Sequence, residues 1–127
     1  MHGVPKDLPV HLFHMARLVS VSPLDNICYF TFERGHRKCG QSPRLSIGIE
    51  GRWQVTQGGS VIADGEPIPS VEDGAAALAV IGEWVTSTQV RAPRSFLLTF
   101  GSGHQLEVFD SNSLQESFSI PEANIYI

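Results

Sequence analysis

The chain is short of nearly everything that organises covalent or metal chemistry. Cysteine occurs twice, as Cys28 and Cys39, at a spacing that fits neither a zinc site nor a redox dithiol. Cys28 stands in an apolar run and reads as a small buried hydrophobe. Cys39 stands in a polar loop, and a disulfide between the two is not expected in a reducing compartment. No long hydrophobic run is present. The longest, "AAALAVIG" at 75–82, is far too short to span a bilayer. The N-terminus lacks a basic region followed by a long apolar stretch, so no secretory signal is read and a cytoplasmic location is expected.

Positive charge is also scarce. Nine Lys and Arg stand against thirteen Asp and Glu, a net charge of −4. A phosphate-binding surface needs a basic field, so nucleic acid is not an expected partner. The one local exception is "ERGHRK" at 33–38, read as a solvated hairpin loop. No glycine-rich loop opens a helix in a phosphate-binding pattern. The Gly-Ser-Gly at 101–103 lacks the strand–turn–helix setting of a nucleophile elbow. The carboxylates are dispersed, and no motif couples two of them as acid and base.

Four histidines could still carry chemistry. His11 and His14 lie three apart, a spacing that metal ligands use on helices. No carboxylate accompanies them, and their neighbours are Leu12, Phe13 and Met15. They are read as part of a partly buried helix with one histidine exposed. His36 and His104 each follow a glycine and are read as surface turn residues. Glu116, just before "SFSI", is read as a structural or surface carboxylate at a strand start. No catalytic residue, metal or cofactor is assigned.

What the chain does have is alternation, and it has it twice. The stretch "YFTFERGH" at 29–36 nearly repeats as "LLTFGSGH" at 97–104. Around it, leading segments at 8–19 and 75–85 carry apolar residues at spacings of three and four, which predicts two short helices. Leu12, Met15, Leu18 and Val19 match Leu78, Ile81, Trp84 and Val85 at a shift of 66. Strands are predicted at 18–22, 27–32, 44–50 and 52–55. A second set is predicted at 84–90, 95–100, 104–109 and 116–120.

A single mainly β, α+β domain over 1–127 follows. Repeat one covers about 8–55 and repeat two about 72–120. The linker is 56–71, with a small hairpin considered at Asp64-Gly65, and an edge strand lies within 121–127. Each repeat reads helix–strand–hairpin–strand, and the pair is expected to build a pseudo-symmetric antiparallel sandwich or partly open barrel. Phe30, Phe32, Leu45, Ile47, Ile49, Phe96, Leu98, Phe100, Leu106 and Val108 share one face by alternation and form the expected core. Trp53 and Phe118 are expected at matching positions beside it.

The stretches "LPVHLFHMARLVSVS", "LSIGIEGRWQV", "FLLTFGSGHQLEV" and "ESFSI" resemble an uncharacterised family of small bacterial proteins. Its pattern is a leading helix, a hairpin ending in an aromatic strand, a second hairpin, and a closing Glu-Ser-aromatic segment. Such proteins are similar to immunity proteins that accompany secreted or contact-delivered toxins. The resemblance implies a non-enzymatic function: direct binding and occlusion of a cognate protein toxin. The candidate contact residues are Arg37, Lys38 and Arg44 in the insertion loop, and Asp64, Glu66, Glu72 and Asp73 in the acidic linker. The alternatives are a self-associating module, as a homodimer using the C-terminal edge, and an enzyme built on histidine and carboxylate.

Overall fold

Alternation decides the architecture. The computed structural model describes residues 3–35, 40, 43–110 and 117–127. Among the described residues ten strands are present: β1 (Arg17–Leu24), β2 (Ile27–Glu33), β3 (Arg44–Ile49), β4 (Arg52–Gln57), β5 (Ser60–Gly65), β6 (Val85–Arg91), β7 (Ser95–Phe100), β8 (Gln105–Phe109), β9 (Phe118–Ile120) and β10 (Ile125–Tyr126). They form two five-stranded antiparallel sheets, ordered β1-β2-β3-β9-β10 and β5-β4-β8-β7-β6. Strand β4 therefore leaves the hairpin that precedes it and pairs with β8, while β9 returns to pair with β3. The carbonyl of Ser117 accepts from both Glu50 and Gly51, which holds the first of these crossings at its corner.

The ten residues expected in the core are all buried, as are Trp53 and Phe118. Aromatic rings tie one sheet to the other. Phe30 meets Trp53 edge-on at 5.0 Å, and Phe96 meets Phe118 at 5.1 Å. Each ring buries enough apolar surface to stabilise the fold by about 1.5–3 kcal/mol. The Trp53 indole N–H, which burial would otherwise leave unpaired, donates to the Pro67 carbonyl at 2.7 Å.

The two sheets join where β1 and β6 begin. Met15 N–H donates to the Val85 carbonyl and Gly82 N–H to the Leu18 carbonyl, each at 2.7 Å. Val85 N–H donates to Ala16 at 2.8 Å and Leu18 N–H to Glu83 at 3.0 Å, with Arg17 and Trp84 bridged between them. Beyond the junction each strand carries a bulge, between Leu18 and Ser20 and between Val85 and Ser87. A bulge bends its strand, and here each one sits where β1 and β6 part.

Several expectations need correction. The leading segment is not a helix over 8–19. It makes a 3-10 turn at Val10–Phe13, and β1 starts at Arg17. Met15 takes φ 63, which no helix accommodates, and Ala16 and Leu18 are then buried by strand alternation rather than helical spacing. The second helix, α1 (Val71–Ala77), lies earlier than expected and passes into a 3-10 turn at Leu78–Val80. Ser70 sets this start by accepting from the Asp73 N–H at 3.1 Å, as an N-cap does. Leu78 and Ile81 are consequently exposed.

The segment 56–71 is not only a linker. It contains β5, and the hairpin turns at Gly58 and Gly59 rather than at Asp64-Gly65. Both turn glycines have positive φ, 59° and 85°. The C-terminal edge strand is present, paired with β9. Trp84 does not take a core position like that of Leu18; it stands half-exposed opposite Arg17.

Candidate functional site: a groove at the sheet junction

The backbone of the junction builds an open apolar groove of about 410 Å³, lined by Met15, Gly35, Trp84, Thr86 and Gly101. Trp84 and Met15 are 43% and 41% exposed, which is unusual for such side chains within a continuous strand junction. Gly35 begins the loop between β2 and β3, and Gly101 begins the turn between β7 and β8. Gly35 and Gly101, each just past the first strand of a hairpin, therefore line one groove. Gly101 N–H donates to the Trp84 carbonyl at 2.9 Å and fixes the second tip. At Gly35 a Cβ would fall 2.5 Å from the Met15 carbonyl oxygen and 3.3 Å from the Trp84 ring. Only glycine lets the backbone at this position approach so closely.

Electrostatics at the groove centre on Arg17. Its guanidinium lies 5.9 Å from the centre of the Trp84 ring. Arg17, Glu33 and Arg44 are aligned in register across β1, β2 and β3, yet Arg17 forms no ion pair with Glu33 among those within 4.0 Å. The cation thus lies over the indole.

The candidate residues read from the sequence are dispersed. Arg44 lies at this end of the first sheet. Asp64 and Glu66 lie elsewhere, at the end of the second sheet opposite Thr86 and Gly101, and both face Arg52. Arg52 reaches Asp64 at 3.2 Å and Glu66 at 3.7 Å. The hydrogen bond to Asp64 holds its guanidinium above the ordinary range, with both carboxylates adding to the effect. Arg52 and Arg94 also flank the Phe109 ring, at 5.5 and 5.4 Å. Nearby, Ser95 Oγ donates to Glu107 at 2.5 Å and Arg91 approaches the same carboxylate at 3.6 Å. Glu72 and Asp73 stand in the first turn of α1. Arg37 and Lys38 lie outside the described residues.

The histidines do not converge among the described residues. His11 and His14 are both exposed, where one was expected to be buried, because the segment is a 3-10 turn and not a helix. His104 is buried rather than on the surface, with Nδ1 2.7 Å from Ser102 Oγ. His36 and Glu116 lie outside the described residues. Among the described residues no group of three His, Cys, Asp or Glu side chains is placed to hold a metal ion, and no helix is long and apolar enough to cross a membrane. Comparison with protein-family models, with curated proteins and with solved structures gives no match.

Sequence reasoning missed the groove because Met15 and Trp84 were placed by helical spacing. Gly82 reads as the end of a helix. The glycines at 35 and 101, each just past the first strand of a hairpin, do carry a signal, since both line the groove.

Proposed function

We propose that this protein is a non-enzymatic binding module that anchors a protein partner in the groove beside Trp84, and that the partner is a cognate toxin which it occludes. The observation that carries the reading is Trp84 itself. Tryptophan dominates binding energy where it sits in a pocket that a partner can desolvate, and here an exposed indole forms the wall of an open apolar groove. The partner class comes from the resemblance of the sequence to an uncharacterised family that is similar to immunity proteins. Arg44 lies on the groove side, and Arg37 and Lys38 follow Gly35 in the chain. Asp64 and Glu66 are engaged by Arg52, so their contribution, with Glu72 and Asp73, is to long-range steering rather than to the anchor.

The fold reading that accompanies this proposal is an internal twofold relation between two halves that exchange their fourth strands in a sandwich. The junction bonds support it. Moving Met15 to Gly82 and Leu18 to Val85, 67 positions in each case, turns the bond Met15–Val85 into the bond Gly82–Leu18. The same shift carries His14–His11 onto Ile81–Leu78 and Ala16–Phe13 onto Glu83–Val80. Both positive φ values, at Met15 and Gly82, are also exchanged. The strand orders β1-β2-β3-β9-β10 and β6-β7-β8-β4-β5 correspond element by element. In this reading the groove lies beside the axis, where the two halves meet, a common place for binding sites.

The experiment is affinity capture from the native cells, followed by expression of the captured partner alone and with this protein. A single stoichiometric partner that arrests growth alone and is tolerated with this protein supports the reading. A partner without toxicity, or recovery of this protein only, overturns it.

A further inference from the structure

We infer that Glu122 is the latch of a C-terminal strap: its carboxylate holds residues 117–127 on the first sheet, and this hairpin undocks from β3 as one unit while the rest of the fold stays closed. The inference is independent of the groove and of what occupies it.

The strap has little ladder to hold it. Among the described residues β9 pairs with β3 at two positions, Ser119 with Gly48 and Phe118 with Ile49, and β10 pairs with β9 alone. Register explains why the ladder stops. Two residues further along each strand, Ser46 falls opposite Pro121, which has no N–H to give to the Ser46 carbonyl. The chain leaves the sheet there in a 3-10 turn at Pro121–Ala123, and Asn124, at φ 58, turns it back into β10.

Glu122 takes over where the ladder fails. Its Oε1 accepts from the Ser46 N–H at 2.8 Å, and the Ser46 hydroxyl lies 2.9 Å from Oε2 and 3.1 Å from Oε1. One carboxylate thus closes the edge donor that a longer β9 would have used, with bonds that its charge strengthens. At the other end of the contact, Glu50 and Gly51 donate to the Ser117 carbonyl, each at 2.9 Å. Between these two anchors the strap delivers Phe118 and Ile120 to the core, both fully buried, with Phe118 against Phe96. An exposed polar clamp therefore keeps two core side chains seated. Segments held by few ladder bonds are those that open below the global unfolding free energy.

The test is native-state amide hydrogen exchange on full-length 15N-labelled protein, comparing wild type with Glu122→Ala and Glu122→Gln. In the wild type the amides of Ser46, Glu50 and Gly51 are expected to share one protection factor, lower than that of Met15 and Val85 at the sheet junction. In Glu122→Ala all three should lose protection by one common factor, about tenfold or more. Glu122→Gln, which keeps an acceptor oxygen but no charge, should lose less. Lost protection at Ser46 alone, with Glu50 and Gly51 unchanged, overturns the strap and leaves Glu122 as the cap of one donor. Wild-type protection at Glu50 and Gly51 equal to that at Met15 and Val85 also overturns it, because the segment would then open only with the whole fold. Unchanged protection at Ser46, Glu50 and Gly51 in both variants overturns the latch. Should Glu122→Ala not fold, Glu122→Gln decides by the same pattern.

Discussion

Phe32 and Phe100 stack across the core with ring centres 6.5 Å apart and planes within 7° of each other. One comes from β2 and the other from β7, and Phe13 packs edge-on against Phe32 at 5.1 Å. The two rings that rhyme in the sequence thus meet in space. They join the two sheets near the point where the junction bonds of β1 and β6 also hold them. Phe32→Ala and Phe100→Ala should each destabilise by about 3–5 kcal/mol. Because the rings touch, the double variant should lose less than the sum. Urea denaturation of the four proteins checks both statements, and strict additivity would show that the rings act independently.

Gly35 and Gly58 separate two ways in which glycine matters. At Gly35 a Cβ would collide with the Met15 carbonyl oxygen, so Gly35→Ala should push this segment away from Met15 and alter Trp84 emission. At Gly58 nothing lies within 4 Å, but φ is +59. Gly58→Ala should cost about 1 kcal/mol through backbone strain and leave Trp84 emission unchanged. Thermal melts with fluorescence spectra distinguish the two.

Burial pushes the Cys28 thiol from its ordinary 9.0 up to about 11. In the unfolded chain the thiol ionises first, so the unfolded state is favoured as pH rises from about 9 towards 11. Wild-type stability should therefore fall faster than that of Cys28→Ala over this window, by about 1.4 kcal/mol per pH unit at most. Parallel slopes in the two proteins would contradict the assignment. Native-state alkylation, read by peptide mass spectrometry, should leave the Cys28 peptide unmodified until the protein unfolds.

The exposed ion pairs of Arg52 contribute little to stability. Asp64 and the guanidinium are both more than a third exposed, and such pairs are worth at most about 1 kcal/mol. Asp64→Asn should leave the urea midpoint nearly unchanged. Reversing Glu72 and Asp73 to Lys should change the association rate with the partner and its salt dependence, and leave the dissociation rate alone. Stopped-flow measurement at two ionic strengths checks this.

Much of the fold was legible because alternation has one meaning. The side chains of Phe30, Phe32, Leu106 and Val108 recur every second residue, and all reached the core. The leading segments were misread because a 3-10 turn followed by a strand gives apolar residues at 8, 10, 13, 16 and 18, a mixture that overlaps helical spacing. What separates the two is the positive φ of Met15, and nothing in the sequence marks a methionine for that conformation. The groove was illegible for a related reason. It depends on which hairpin tips meet at the junction, and that follows from strand exchange between sheets rather than from local pattern. The acidic residues were legible as charge but not as partners of Arg52, since Asp64 and Arg52 meet only once β4 and β5 pair.

The most direct measurement is the affinity of the captured partner for the wild-type protein and for Trp84→Ala, side by side in a titration calorimeter. Trp84 is 43% exposed, so the variant should fold normally. The account predicts a loss of at least about 2 kcal/mol in binding, roughly thirtyfold, with Asp64→Lys retaining most of the wild-type affinity. Equal affinity for wild type and Trp84→Ala would contradict it and move the contact surface away from the groove.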